Sequence, residues 1–128
     1  MNRRESFGTD QISPVKFLPL TPAVFYILLV LAEGDRHGYA IMQEATQRSG
    51  GALRLGPGTL YAAISRLLKD GLIEELEERP APELDDSRRR YYRLSDRGSL
   101  VLAAEAKRLA ELARQARSSR AVRELKHA

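Results

Sequence analysis

With 128 residues and no cysteine, the chain has enough material for one core built without disulfides or thiolate metal sites. Its longest apolar run, Ala23–Ala32, is too short to span a bilayer, and no apolar signal-peptide core follows Met1, so a soluble cytoplasmic protein is expected. The net charge of +4 is unevenly placed: residues 1–94 balance, and the whole excess lies in 95–128, so an anionic partner would have to be met by local basic patches.

Residues 1–18 mix charges with Gly8, Ser13 and Pro14 and show little periodicity, the composition of a flexible or loosely docked arm. Thr21-Pro22 then opens a helix expected to reach about Glu33, because Thr21 can cap orphan N–H groups and Pro22 needs no donor at the first position. That helix is apolar nearly all round, which predicts burial on every face, and Phe25 and Tyr26 read as core. A second helix is expected from Gly38 to about Arg48, stopped by Ser49-Gly50-Gly51. Leu53-Arg54-Leu55 alternates in the manner of a very short strand. A third helix starts within Gly56-Pro57-Gly58-Thr59 and ends at about Asp70-Gly71. Two alternating segments, Leu72–Glu77 and Arg89–Leu94, flank a tip rich in Pro and acid and predict a β-hairpin. Ser95 caps a last helix from Asp96 to about Ser118, and the basic remainder is expected to fray.

This order predicts a mainly α fold with a small β-hairpin: a winged helix-turn-helix followed by a long C-terminal helix. The expected divisions are an arm at 1–18, the winged helix-turn-helix at 19–94 and a dimerisation helix at 95–128.

The third helix carries the chemistry. At 100° per residue, Leu60, Ile64, Leu67 and Leu68 share one face, and Thr59, Ala62, Arg66 and Lys69 the opposite one, with Ser65 at its edge and Tyr61 on the flank. Small and hydroxyl side chains allow close approach to a major groove; Arg66 suits a base edge and Lys69 a phosphate. Arg88, Arg89 and Arg90 at the returning strand form a basic wing beside it, although Glu77, Glu78, Glu83, Asp85 and Asp86 lie nearby. In the last helix Leu102, Ala106, Leu109, Ala113 and Ala116 are spaced 4-3-4-3, a coiled-coil seam for a second copy of the chain. Glu105, Lys107, Arg108, Glu111 and Arg114 are expected on the remaining surface.

The segments Leu20-Thr21-Pro22-Ala23, His37-Gly38-Tyr39-Ala40-Ile41, Gly58-Thr59-Leu60-Tyr61, Gly71-Leu72-Ile73-Glu74 and Arg90-Tyr91-Tyr92-Arg93-Leu94-Ser95 resemble, in order and spacing, those of PadR-family regulators, across about Leu18 to Leu112. The single helix after the wing is similar to that of the compact subgroup. The resemblance implies repressors that bind inverted-repeat operators on double-stranded DNA as homodimers and are often released by a small-molecule effector. It also implies that Thr59 and Tyr61 open the recognition helix and that Arg90 and Tyr91 lie on the returning wing strand. Some relatives bind flat aromatic drugs through a tryptophan, which this chain lacks.

Nothing in the pattern supports catalysis, a cofactor or a metal: His37 stands alone beside a helix start, and His127 lies near the C-terminus. Gly56-Pro57-Gly58-Thr59 lacks the Lys-Ser/Thr of a phosphate loop. The rival reading is a winged helix that serves as a protein-interaction module and does not bind DNA. Salt response separates the two, since phosphate contacts make binding fall steeply with salt.

Overall fold

The computed structural model describes residues 13–77 and 90–125. A 3-10 turn, Pro14–Phe17, precedes α1 (Pro22–Ala32), β1 (Arg36–His37), α2 (Gly38–Arg48) and α3 (Pro57–Lys69). Then come β2 (Ile73–Glu75), β3 (Tyr91–Leu94), α4 (Asp96–Ser118) and α5 (Arg120–Arg123).

The helix ends follow from local chemistry. Thr21 Oγ1 accepts the Val24 N–H at 3.2 Å with Pro22 in the first turn, and Ser95 Oγ accepts the Gly98 N–H at 3.0 Å. At the end of α3 the chain must reverse within two residues. Gly71 does this at φ +77°, while the Leu72 N–H donates to Leu67 O and the Gly71 N–H to Leu68 O. Ser95 Oγ also donates to Gly71 O at 2.6 Å, tying this turn to the start of α4.

β3 is the centre of a three-stranded antiparallel sheet in the order β1-β3-β2, with Tyr92 opposite both Arg36 and Glu75. The hairpin expected from alternation is therefore present, while its tip, including Arg88 and Arg89, lies outside the described residues. The strand expected at Leu53–Leu55 does not form; the third strand is Arg36–His37. The alternation at 53–55 reflects side-chain insertion instead: Leu55 is buried and Leu53 packs partly buried on the core.

One hydrophobic core joins Ile27, Leu28 and Val30 of α1, Ile41 of α2, Leu60 and Ile64 of α3, Leu72, Ile73 and Tyr92 of the sheet region, and Val101 of α4. Burial of α1 is less complete than its composition predicts, because Phe25 and Leu29, one turn apart, stay half-buried and outside this cluster. Tyr26 does pack on the core, edge-on to Phe25.

Two expectations for the ends are corrected. Phe17 and Leu18 pack against the core, so residues 13–18 are docked, while 1–12 lie outside the described residues. After Ser118 the chain breaks its helix at Ser119, whose side chain caps the short α5.

Candidate nucleic-acid interface

α3 sits on the core with the phase its sequence predicts. Leu60, Ile64 and Leu67 are buried and Leu68 packs partly buried, while Thr59, Tyr61, Ala62, Ser65, Arg66 and Lys69 are all exposed. Arg66 Nε lies 3.4 Å from Asp70 Oδ2, yet its side chain remains 75% exposed, so the pairing leaves the guanidinium within reach of a partner. Lys69 has no carboxylate within 4 Å among the described residues. Arg54, exposed in the segment leading into α3, adds a cation that the periodicity gave no reason to select.

The α3 N-terminal end is held against α2. The Tyr61 hydroxyl and ring edge lie where a Cβ on Gly38 would stand, so only glycine at 38 lets Tyr61 adopt this position. His37 caps α2: its Nδ1 accepts the Ala40 N–H at 3.2 Å, and its ring stands edge-on to Tyr91. His37 therefore serves the fold, by capping and by packing. An open groove of about 640 Å³ lies between α2, α3 and the sheet, lined in part by Tyr39, Tyr61, Ser65, Glu75 and Arg90.

The wing base is more balanced in charge than its arginines alone suggest. Arg90 is exposed, but its Nη1 donates to Glu75 Oε2 at 2.7 Å, and this carboxylate raises the guanidinium pKa further. Arg93 pairs with Asp35 at 3.2 Å and Arg36 with Glu44 at 2.7 Å. Antiparallel register explains the first pair, since Glu75 and Tyr92 are directly opposed and Arg90 is two residues from Tyr92.

α4 divides into two parts. Gly98, Val101 and Glu105 are buried and Leu102 is half-buried on the core of its own chain, so Leu102 is partly used within the subunit. The helix then leaves the body: Ala106, Leu109 and Ala116 are exposed and Ala113 half-exposed. Leu112, which the 4-3 seam omitted, is 48% exposed and lies beside Leu109 (40%). Glu105, expected at the surface, is buried; its carboxylate accepts the Leu20 N–H and a bidentate pair from Arg108, which holds its pKa below the usual carboxylate range. Spacing held this signal, because 98, 101 and 105 follow one stripe, but a glutamate on that stripe reads as solvent-facing.

Among the described residues no helix is long and apolar enough to cross a membrane, and no His, Asp and Glu cluster could hold a metal ion.

Residues 27–104 match the family described as "Transcriptional regulator PadR-like family". The chain is 36% identical over 90 residues to the transcriptional regulator Rv3488 of Mycobacterium tuberculosis, covering 70% of this chain and 78% of that protein. It is 40% identical over 90 residues to an uncharacterized 37.1 kDa protein in transposon TN4556 of Streptomyces fradiae, covering 70% of this chain but 24% of that protein. A transcriptional regulator from Clostridium thermocellum superposes with a TM-score of 0.59 at 28% identity, covering 73% of this chain and 84% of that one. A PadR family transcription regulator from Clostridium difficile superposes at 0.61 and 23% identity, covering 73% and 93%, and supports the fold alone. The family match and the relatives agree with the winged-helix layout: the chain belongs to the PadR-like family of transcriptional regulators.

Proposed function

We propose that the chain is a sequence-specific regulator that binds double-stranded DNA as a homodimer, represses from an inverted-repeat operator and is released by a small-molecule effector. One observation carries the reading: the face of α3 opposite the core, from Thr59 to Lys69, is bare and ends in two cations. A helix with that face fits a major groove about 12 Å wide, with Arg66 toward base edges and Lys69 toward a phosphate. The groove between α3 and the sheet supports the effector clause, since an occupant beside Tyr61 and Arg90 would compete with DNA.

The test is binding of the purified protein to labelled duplex from the DNA upstream of its gene, measured by anisotropy across a salt series. The expected log K falls linearly with log salt, by about 0.9 for each phosphate contacted. Absent or salt-insensitive binding would favour the protein-interaction module.

Within this reading Arg66→Ala is expected to relax sequence choice at one position by about 1–3 kcal/mol. Lys69→Ala is expected to weaken operator and random duplex alike and to lower the salt slope by about 1. Competition between the two duplexes distinguishes these outcomes. Glu75→Gln should act in the opposite direction. Its carboxylate occupies Arg90, so its removal frees a cation and deletes a charge that repels phosphate. An exposed pair is weak, and the expected gain in random-duplex affinity is about 2–5-fold, with a steeper salt slope. Unchanged or weaker binding by this variant would show that Arg90 does not meet phosphate.

A further inference from the structure

We propose that Glu105 is a positioning residue for operator reading: it clamps α4 to the winged helix and so sets the separation at which two recognition helices meet DNA. The proposal rests on the reading of the chain as a dimeric DNA binder. It starts from a carboxylate that is only 2% exposed on a helix whose other acidic side chains face solvent. Glu105 Oε2 accepts the Leu20 backbone N–H at 2.9 Å, across 85 positions of sequence, and Arg108 Nη2 at 2.9 Å. Oε1 accepts Arg108 Nε at 2.6 Å. One directional bond therefore joins α4 to the segment that opens α1, and two more from Arg108, one turn on in the same helix, fix the orientation of its acceptor.

Stability is a poor explanation for a charge at this place. Burying a carboxylate costs desolvation, and well-packed apolar residues often replace buried ion pairs at no loss of stability. A leucine could cover the same surface. What it could not do is prefer one angle, because apolar contact is non-directional whereas a hydrogen bond weakens steeply when bent.

The angle matters because of where Glu105 lies. Beyond Arg108 every residue of α4 except Ala113 is exposed, so among the described residues Glu105 and Arg108 span the last turn of the helix that the body covers. From there to Ser118 the helix runs on for roughly 20 Å at about 1.5 Å per residue. A tilt of about 10° at Glu105 moves the far end by roughly 3.5 Å, close to the ~3.4 Å rise of one base-pair step. If the partner subunit docks on this overhang, a loosened clamp lets the two recognition helices slip by a whole base pair.

The experiment is selection of binding sites from a randomised duplex library with full-length wild type, Glu105→Gln and Arg108→Gln, with sedimentation run in parallel. Glutamine keeps the shape of Glu105 but has one acceptor oxygen, so its amide faces a guanidinium donor or the Leu20 N–H. Wild type is expected to select one half-site sequence at one spacing. Glu105→Gln should select the same half-site at that spacing and at neighbouring ones. Its affinity for the best operator should fall about tenfold as the second half-site loses effective concentration, with the dimer and random-duplex binding unchanged. Arg108→Gln leaves the Leu20 contact in place and should broaden the spacing less. Retention of a single spacing by both variants would overturn the proposal. So would loss of half-site sequence together with spacing in Glu105→Gln while Arg108→Gln behaves as wild type, since that pattern marks a merely structural residue. A wild type that selects no sequence at all would remove the DNA reading itself.

Discussion

Gly98→Ala is expected to lower stability by about 3 kcal/mol, a fall in Tm of roughly 10–15 °C by thermal melting followed by circular dichroism. Gly98 lies in the first turn of α4, buried where that helix crosses the turn between α3 and β2. A Cβ there would fall on the Leu72 carbonyl oxygen and come within 2.7 Å of Leu94 Cδ1. The carbonyl cannot step aside cheaply, because it accepts the Ser95 N–H at 3.1 Å in the same junction. Alanine's better helix propensity returns at most about 1 kcal/mol, which the backbone collision outweighs. Gly58→Ala supplies the contrast. It also places alanine in a helix, but nothing lies within 4 Å of its Cβ, and a gain of up to about 1 kcal/mol is expected. Equal melting temperatures for Gly98→Ala and the wild type would mean that α4 does not cross Leu72 as described.

Leu109→Glu is expected to give monomers by sedimentation, with operator affinity lowered at least about 100-fold and half-site preference retained. The stripe that α4 uses against its own body at Val101 and Leu102 continues past Arg108 as Leu109, Leu112 and Ala116, which the described residues leave exposed. A charge placed there costs the single subunit little, because Leu109 is already 40% exposed, but it would be desolvated against a second copy. Folding of the single chain should therefore be unaffected. A dimer that persists in this variant would remove the overhang as the dimer contact.

Most of the fold is legible in the sequence because its signals are local. Thr21-Pro22 and Ser95 start helices, Gly71 ends one, and α2 and α4 run between the residues that capping and periodicity predict. The outer face of α3 is legible for the same reason: Leu60, Ile64 and Leu67 fix the phase of the helix, and Thr59, Arg66 and Lys69 then have to face outward. What the sequence conceals depends on long-range pairing. β1 is two residues long and exists only because β3 lies beside it, so Arg36–His37 carries no alternation to detect. Likewise the Arg90–Glu75 and Arg93–Asp35 pairs arise from sheet register, which gives each of these two arginines a carboxylate partner. Glu105 escaped for a third reason: hydropathy assigns a carboxylate to solvent, and only the docking of residues 13–20 on α4 brings the Leu20 N–H to a carboxylate that Arg108 of the same helix already pairs.

The direct test of the central claim, that the outer face of α3 reads base edges, is dimethyl sulfate protection of guanine N7 in a bound operator, since that atom lies in the major groove. Protection within each half-site by the wild type, with local loss in Arg66→Ala at concentrations where that variant still binds, is the expected result. Guanines equally reactive with and without protein on a saturated operator would contradict it.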